Sequence, residues 1–540
     1  MKFLKYIFIT ILMVLVGCER NEIDFQSDGP SITTEGNIPE LTKKAAGNEI
    51  FQSFTFQSTD GIDKFEVFQD NDLIDSVIFN STLSANYEFA FTIPEETPDF
   101  TRITFTFLVT DALGEQAKKE FKLLVAPTFF EFEETVNSVN VTRIKGELNK
   151  DYTLEKDRIY IVDSVLSVNS GNNLIIEAGN TVYFKTFDNP ALTSRLVIAQ
   201  GAKIIAEGTA NDPIILTSDK LLKGETPNPY DWGGVTIYGK APTNEGDFVI
   251  DDGFRYGGNV VNDNSGILTF IRSEYAGNLL ENGLHAFQFN GVGLGTTVNH
   301  IQVYRNYNIA FRLRGGRVSL KYISAIGHGG YGLWAGRGWQ GNGQFWLFQT
   351  DVKATLVPVN YWNIARSIEF RSDGDNFLNE PRTRFNVSNV TIIGNGFEAN
   401  VNNGTRRGVR VRQGSIGTFQ NAVVTGFPGE GSRIDDLDLD VLGSEMIFDN
   451  IRSYGSATNF VQEAETVFFN DPENVFNVTD EPIPGITLAN FVGSIPSAFN
   501  PTSLGSFFSS APYIGAIENE ANDWTTQGDT WFKNLDGTFR

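Results

Sequence analysis

Cysteine, histidine and methionine are scarce in this chain. Its 540 residues include one Cys, three His and three Met. A single thiol excludes a disulfide framework and a thiolate metal site. Lys and Arg total 42 against 66 Asp and Glu, which gives a formal net charge of -24. Because such a surface repels phosphate backbones, we expect no nucleic-acid partner.

Long apolar runs are also rare, and the one present lies at the amino terminus. Lys2 and Lys5 precede a run from Tyr6 to Gly17. This run is shorter than the ~20 residues of a transmembrane helix and is typical of a signal-peptide core. It ends in Leu15-Val16-Gly17-Cys18, the pattern of a lipobox, although a plain signal peptide with a chance cysteine is the alternative. We predict a lipoprotein signal peptide over residues 1–17 and a polar tether over 18–41 that starts at lipidated Cys18.

Sustained helical periodicity is missing after the signal peptide, and the composition is rich in Gly and Phe, with 53 and 45 residues. Short alternating runs of Val, Ile, Phe and Thr indicate an all-β chain. Over residues 42–126 the runs have sandwich spacing, as in Phe51–Gln57 and Thr101–Val109. This region resembles the immunoglobulin-like domains of bacterial surface proteins, which implies a spacer.

From residue 127 to 471 the apolar runs shorten to three or four residues and end in Gly or Asn, as in Leu196–Ile198, Val235–Ile237 and Val409–Val411. Strands this short do not make a stable sandwich, but they suit a right-handed parallel β-helix in which stacked coils bury one continuous core. Asn at the bends, as in Gly394-Asn395-Gly396, tolerates left-handed backbone geometry. Residues 472–540 are predicted to form a carboxyl-terminal cap.

Several of these segments resemble a family of β-helix surface lipoproteins found mainly in Bacteroidota. The resemblance rests on Leu196–Ser218 with Asp231–Val235, and on Tyr256–Gly258, Gly291–Thr296, Gly338–Phe345 and Gly408–Gly414. It covers residues 159–531 and implies a pectate-lyase-like fold at the outer membrane. Glu19, Glu22 and Asp24 resemble the acidic export signals of that phylum's surface lipoproteins, so we expect the chain to be exposed at the cell surface.

Family members usually carry paired acidic residues at two neighbouring coils, where Tyr307–Phe311 and His328–Leu333 stand here. Any calcium or acid–base role of those positions is therefore in doubt. The three His lack ligand spacing and are interpreted as structural or solvent-facing. The acidic run Asp435–Asp440 places Asp436, Asp438 and Asp440 on one face if it is a strand, either as a cation site or, preferably, as a solvated strand edge. We predict no metal, cofactor or catalytic residue.

Charge segregation gives the candidate site. Between Arg305 and Arg412 there are fifteen basic and six acidic residues, so this window carries +9 and the remainder of the chain -33. In Phe311–Arg314 and Val409–Arg412 the apolar residues are predicted to face the core and both Arg to face outward. The guanidinium fork matches carboxylate, sulfate or phosphate. The candidate ligand-binding residues are Arg312, Arg314, Arg317, Arg337, Trp339, Arg410 and Arg412.

Three hypotheses remain open at this point. We favour a non-catalytic surface protein that binds an anionic polysaccharide or an outer-membrane partner such as a nutrient-import complex. The alternative is a polysaccharide lyase or hydrolase acting on uronate-containing glycans, and the third is a structural adhesin or spacer. If neighbouring carboxylates neutralise all these arginines, the spacer is favoured.

Overall fold

The structure is a computed structural model, and it describes most of the chain from residue 29 onward. The described ranges are 29–34, 41–46, 48–94, 97–98, 100–126, 129–189, 192–246, 249–251, 253–278, 283–350, 366–396, 407–437, 441–462 and 475–540. The predicted signal peptide, Cys18 and most of the predicted tether lie outside the described residues. Contacts divide the chain into two units, 1–125 and 126–540.

The first unit is one six-stranded sheet. Its strands are β1 Ser31–Thr34, β2 Thr42–Lys44, β3 Glu49–Gln69, β4 Asp72–Thr92, β5 Arg102–Asp111 and β6 Gln116–Val125. The pairing of the long strand β3 with β4 is irregular between Gln57 and Ile62, and Gly61 in this stretch has a φ of +87° and lies so close to Ser81 that a Cβ atom has no room. From Ile62 onward β3 pairs with β5 as well as β4. A core of Phe side chains, including Phe54, Phe65 and Phe107, fills the unit.

The second unit is built on a 25-stranded sheet in which nearly all pairings are parallel. The hairpin β7 Phe130–Val136 and β8 Val139–Leu148 opens it. The following strands, to the last one of the sheet, are β9 Tyr152–Leu154, β10 Tyr160–Val168, β11 Asn173–Ile176, β12 Thr181–Phe184, β13 Arg195–Ile198, β14 Lys203–Glu207, β15 Ile214–Ser218, β16 Val235–Tyr238, β17 Val249–Asp251, β18 Phe254–Tyr256, β19 Gly266–Glu274, β20 Phe287–Asn290, β21 Thr297–Tyr304, β22 Phe311–Arg314, β23 Ser319–His328, β24 Leu333–Gly336, β25 Asn342–Thr350, β26 Arg366–Arg371, β27 Arg384–Ile393, β28 Arg407–Arg412, β29 Ile416–Thr425, β30 Glu430–Ile434, β31 Met446–Tyr454, β32 Thr458–Gln462 and β33 Val478–Thr479. Of these, β17 and β18 form a separate antiparallel hairpin.

The parallel strands stack into three faces around an apolar core. In a typical coil one bent strand, such as β21 or β23, supplies the first and second faces, and a shorter strand, such as β22 or β24, supplies the third. Strands of equivalent position pair with the next coil, so Ile301 stacks on Ile323 and Ile323 on Trp346. This continuous core is what stabilises strands of only four residues. A short helix, α1 Asp219–Lys223, interrupts the pattern between β15 and β16.

The bend between the first and second faces is a single residue in the left-handed region of the backbone. Phe270, His300, Tyr322 and Phe345 occupy it in successive coils, and Asn389, Asn421 and Asn450 in later ones. The rings of the first four residues stack at centroid distances of 4.3, 4.4 and 4.7 Å. In Gly394–Gly396 the left-handed residue is Gly396, with a φ of +69°, and not Asn395, so the prediction of left-handed geometry is wrong for Asn395 itself. Aromatic stacking compensates the steric cost that non-glycine residues pay in this conformation.

The last residues, 483–540, pack along the second face. They include the strands β34 Ile495–Pro496 and β35 Tyr513–Ile514 and 3₁₀ turns at Pro501–Leu504, Glu520–Asn522 and Trp524–Thr526. The backbone oxygen of Leu488 accepts a hydrogen bond from the side chain of Gln349. In the same way, the backbone oxygens of Ala511 and Trp531 accept hydrogen bonds from the side chains of Asn389 and Arg272. The C-terminal segment therefore runs back across the side of many coils, which differs from a cap over the last one.

An all-β chain with a parallel β-helix is thus confirmed. The predicted strands Leu196–Ile198, Val235–Ile237 and Val409–Val411 fall within β13, β16 and β28. The immunoglobulin-like character of the first unit and the lipoprotein boundaries stay predictions. Among the described residues, no helix is long and apolar enough to cross a membrane.

Candidate functional site

The predicted arginines lie on the third face of the solenoid, which we call the arginine face and which comprises β13, β16, β20, β22, β24, β26, β28, β30 and β32. In β22 the side chains of Phe311 and Leu313 are fully buried in the core, whereas Arg312 and Arg314 lie on the outer side. Val409 and Val411 of β28 are likewise buried. The predicted alternation of apolar and basic residues is therefore present in both strands.

Strand register brings outer side chains of distant sequence segments into one row. Neighbouring strands lie about 4.8 Å apart, and the residues that follow one another along the row are Gln288, Arg312, Trp334, Glu369, Arg410 and Arg433. In a parallel second row Arg371 pairs in register with Arg412. Cationic side chains of this face therefore surround Trp334 and Glu369, which lie in the middle of the first row.

Three of the predicted ligand-binding arginines already have carboxylate partners. Arg314 donates to both oxygens of Glu245, with Nε–Oε2 and Nη2–Oε1 distances of 2.8 and 2.7 Å. Arg410 holds Asp435 in the same two-pronged way, and the Nη2 atom of Arg412 lies 2.7 Å from Asp436. Much of the positive charge expected from the sequence is therefore neutralised by neighbouring loops.

The two predicted arginines at the margin of this face have weaker partners. Arg337 lies 3.5 Å from Glu245 and 3.7 Å from Asp373, which are ion pairs at longer range. Arg317 donates to the side-chain oxygen of Gln340 at 2.7 Å. Both remain candidates for contact with a ligand.

Trp339 is not a surface residue, and its prediction as a ligand contact is corrected here. Its side chain is fully buried in the main core, and its indole nitrogen donates to the backbone oxygen of Val318 at 3.0 Å. The left-handed Gly338 turns the chain inward just before it, and the absence of a side chain at Gly341 leaves room for the indole. A ligand on the outer surface does not reach it.

Arg312 and Arg371 flank one indole ring, that of Trp334. Their guanidinium carbons lie 5.3 and 4.9 Å from the centroid of Trp334, within the range of cation–π attraction. Among the described residues, neither has an oxygen of Asp or Glu within ion-pair distance. Burial lowers the pKa of Arg312 to about 10, and the neighbouring charge of Arg314 acts in the same direction. Burial also lowers the pKa of Arg371.

His285 completes the surroundings of Arg312. Its Nε2 atom lies 3.2 Å from an Nη1 atom of Arg312, and since a guanidinium only donates, Nε2 accepts and the proton is assigned to Nδ1. In the part of the chain that the structure describes, that buried Nδ1 atom has no hydrogen-bond partner. Burial and the two arginine charges hold the pKa of His285 well below its usual value. The imidazole is therefore a neutral acceptor for Arg312.

Glu369 is the acidic member of the row and is almost fully buried, at 1% exposure. Arg366 forms an ion pair with it and also donates to the hydroxyl of Tyr331 at 3.0 Å. The carboxylate therefore has an ion-pair partner of its own, and it acts on Arg371 only at longer range, where its charge opposes the lowering of the pKa of Arg371.

The acidic clusters do not form a cation site in the part of the chain described. No three His, Cys, Asp or Glu side chains there come together as metal ligands. Strand β30 ends at Ile434, so Asp435 and Asp436 follow the strand and bind arginines; the predicted strand face and solvated edge are wrong for these two residues. Asp438 and Asp440 lie outside the described residues.

Sequence reasoning missed Arg371, Trp334 and His285 as site residues. Ile368–Arg371 repeats the alternation of Phe311–Arg314, which is a signal that was available. No such signal marks His285, because its contact with Arg312 depends on the path of the loop before β20.

Comparison with known proteins agrees with this architecture. A family model described as a pectate-lyase-like beta helix domain matches residues 146–480. Two solved structures align at low similarity. The catalytic domain of a GH87 alpha-1,3-glucanase in complex with nigerose has 8% identity over 84% of this chain and 98% of its own, with a TM-score of 0.27. Pectate lyase PelI from Erwinia chrysanthemi, in complex with tetragalacturonic acid, has 7% identity over 81% and 100%, with a TM-score of 0.13.

These two alignments are too distant to bear on the activity of this chain, and no curated protein sequence matches it. The family match, in contrast, spans well over half of the sequence and coincides with the stacked coils. The chain therefore belongs to the pectate-lyase-like beta helix domain family.

Proposed function

We propose that this chain is a lipid-anchored outer-membrane protein that binds an anionic glycan on the arginine face without acting on it. One observation carries this proposal, namely that Arg312 and Arg371 flank Trp334 without a carboxylate partner among the described residues. Arg314, Arg410 and Arg412 of the same face each have a carboxylate partner, in contrast to these two.

The energetics of partly buried cations support a ligand at this position. A desolvated charge is costly unless an opposite charge or hydrogen bonds compensate it, and the lowered pKa of Arg312 reflects that cost. A carboxylate or sulfate group of a ligand supplies the opposite charge and also the hydrogen bonds, because the guanidinium fork binds it with two parallel hydrogen bonds. Trp334 is only 6% exposed, so its part is to hold the two guanidinium groups.

Anchoring through Cys18 belongs to the same proposal. An acyl chain on that residue, with the polar stretch after it, places the binding unit outside the membrane. A nutrient-import complex remains a second candidate partner at that location.

Two alternatives have specific support. The buried Glu369 beside arginines favours a lyase or hydrolase acting on uronate-containing glycans. The neutralised Arg314, Arg410 and Arg412 favour a structural spacer. Both are outcomes of the experiment below.

The experiment is calorimetric titration of the full-length protein in detergent with oligogalacturonate and chondroitin sulfate, with dextran as the uncharged comparison. We expect at least one anionic glycan to bind, and the variants Arg312→Ala and Arg371→Ala each to lose about tenfold or more in affinity. Added salt weakens binding through screening. The control is Arg384→Ala, an exposed arginine that pairs with Glu445.

Binding of neither anionic glycan, or equal binding by Arg312→Ala and Arg384→Ala, contradicts the proposal and favours the spacer. Formation of an unsaturated product or of new reducing ends during the titration favours the enzyme.

A further inference from the structure

A pocket of about 210 Å³ lies outside the row of arginines. Three loops that lead into β13, β16 and β20 meet there, together with α1. The lining side chains used below are Phe187, Lys220, Tyr230, Asp231 and Asn278.

The polar side of the pocket is rigid. Asp231 is 4% exposed and accepts hydrogen bonds from the hydroxyl of Ser218 at 2.7 Å, from Nζ of Lys220 at 2.8 Å and from the backbone of Asn228 at 2.9 Å. The ammonium group of Lys220 has three donors, and Asp231 uses one of them. The Lys220–Asp231 pair therefore adds no net charge and still offers donors and acceptor lone pairs.

Asn278 adds an amide donor to the pocket. The residue is 4% exposed, and its Oδ1 atom accepts from the backbone of Leu284 at 2.9 Å. This bond fixes the amide plane, and its Nδ2 group makes no hydrogen bond among the described residues. A buried amide that lines a cavity with an unused N–H pair is a group for which a ligand oxygen is the natural partner.

Two aromatic rings form the apolar side. The rings of Tyr230 and Tyr307 pack edge to face with their centroids 5.7 Å apart. The ammonium nitrogen of Lys185 lies over the ring of Phe187, 4.6 Å from its centroid. An engineered cavity of roughly 150 Å³ holds a benzene ring, so this pocket has room for one six-membered ring. Aromatic walls with a few fixed polar groups are the usual composition of a small-ligand site.

We propose that this pocket binds one neutral hexopyranose unit, with the apolar face of the sugar against Tyr230 and Phe187 and its hydroxyl groups on Asp231, Lys220 and Asn278. The charges select against an acidic sugar, because Lys220 is already paired and the exposed Asp188 also lines the pocket. This site does not depend on the proposed function of the arginine face.

Saturation-transfer NMR of the full-length protein with the methyl glycosides of glucose, galactose and mannose tests this site, with galacturonate as the charged comparison. We expect at least one neutral glycoside to bind. Tyr230→Ala and Phe187→Ala should each weaken that binding about tenfold or more, whereas Arg384→Ala, at an exposed arginine that pairs with Glu445, leaves it unchanged. Phe539→Ala, which removes an exposed aromatic ring elsewhere, is the matched control.

The thermal unfolding midpoint of each variant establishes that it is folded. Absence of binding by all three neutral glycosides overturns the proposal. So does binding that Tyr230→Ala and Phe187→Ala leave intact, or binding of galacturonate as tight as that of the neutral sugars in the same pocket.

Discussion

Arg410 and Asp435 form a buried ion pair across two neighbouring coils. The Nε atom of Arg410 lies 2.9 and 3.1 Å from the two carboxylate oxygens, and the side chains are 10% and 2% exposed. Arg433 shares the same carboxylate at 2.6 Å. The pair therefore joins strand β28 to the residue that follows β30.

We predict that Arg410→Ala destabilises the protein by about 2–4 kcal/mol, because it leaves the buried Asp435 with a single cation. The double variant Arg410→Ala/Asp435→Ala should be less destabilised than the sum of the two single variants. Urea unfolding measures all three. Arg384→Ala is the control, and since that pair is about half exposed its cost should stay below about 1 kcal/mol. Equal losses in Arg410→Ala and Arg384→Ala would contradict the prediction.

Acid should destabilise the protein partly through His300. Burial lowers the pKa of this histidine from 6.5 to about 4, so below pH 6.5 the unfolded chain binds a proton that the folded chain does not. The free energy of unfolding therefore falls as the pH drops from 6.5 towards 4, by at most about 1.4 kcal/mol per pH unit for this group. His300→Phe keeps the ring stack between Phe270 and Tyr322 and should reduce the loss. Thermal unfolding at a series of pH values measures this loss of stability in both proteins. If stability falls as steeply with pH in His300→Phe as in the wild type, the role assigned to His300 is refuted.

Trp339→Ala should cost about 3–5 kcal/mol of stability, as expected for a large side chain removed from a packed core. Trp339→Phe should cost less, because it keeps a ring against Phe370. Neither change should alter glycan affinity of the folded fraction, since the indole lies inside the coil. Chemical unfolding together with the calorimetric titration checks both statements. A selective loss of affinity without loss of stability would restore Trp339 as a ligand contact.

Asn389→Ala should loosen the C-terminal segment. The side-chain amide of Asn389 donates to the backbone oxygens of Ala511 and Tyr513 at 3.1 and 2.8 Å, and its φ of 58° is unfavourable for alanine. We expect a loss of about 1–3 kcal/mol and faster amide exchange around these two acceptors. Asn386→Ala, on the same strand but bonded to Asn342, is the control. Equal amide protection around these acceptors in Asn389→Ala and Asn386→Ala would show that the side chain of Asn389 does not hold the C-terminal segment.

The sequence allowed the coils to be predicted from the short apolar runs that end in Gly or Asn, and the outward arginines from the alternation of two residues along a strand. It did not allow their neutralisation to be predicted. Basic residues outnumber acidic ones in the window, yet Glu245, Asp435 and Asp436, which lie outside it in sequence, are beside Arg314, Arg410 and Arg412 in space. Glu245 is 69 positions from Arg314, and the two residues meet only because of the path that the intervening loops take. The sequence likewise did not predict the aromatic residues at the bends, because the left-handed conformation that they adopt is rare for such residues.

The route of the C-terminal segment changes how this solenoid unfolds. In a simple repeat array each coil depends only on its neighbours, and the ends are free to open first. Here Lys533 and Leu535 bond to Gln302 and Arg305 of the central coils, while Phe499 bonds to Asn421 of a later coil. One segment thus connects coils that are not neighbours. These coils, although synthesised long before, acquire the outer layer on their second face only when the final residues of the chain arrive.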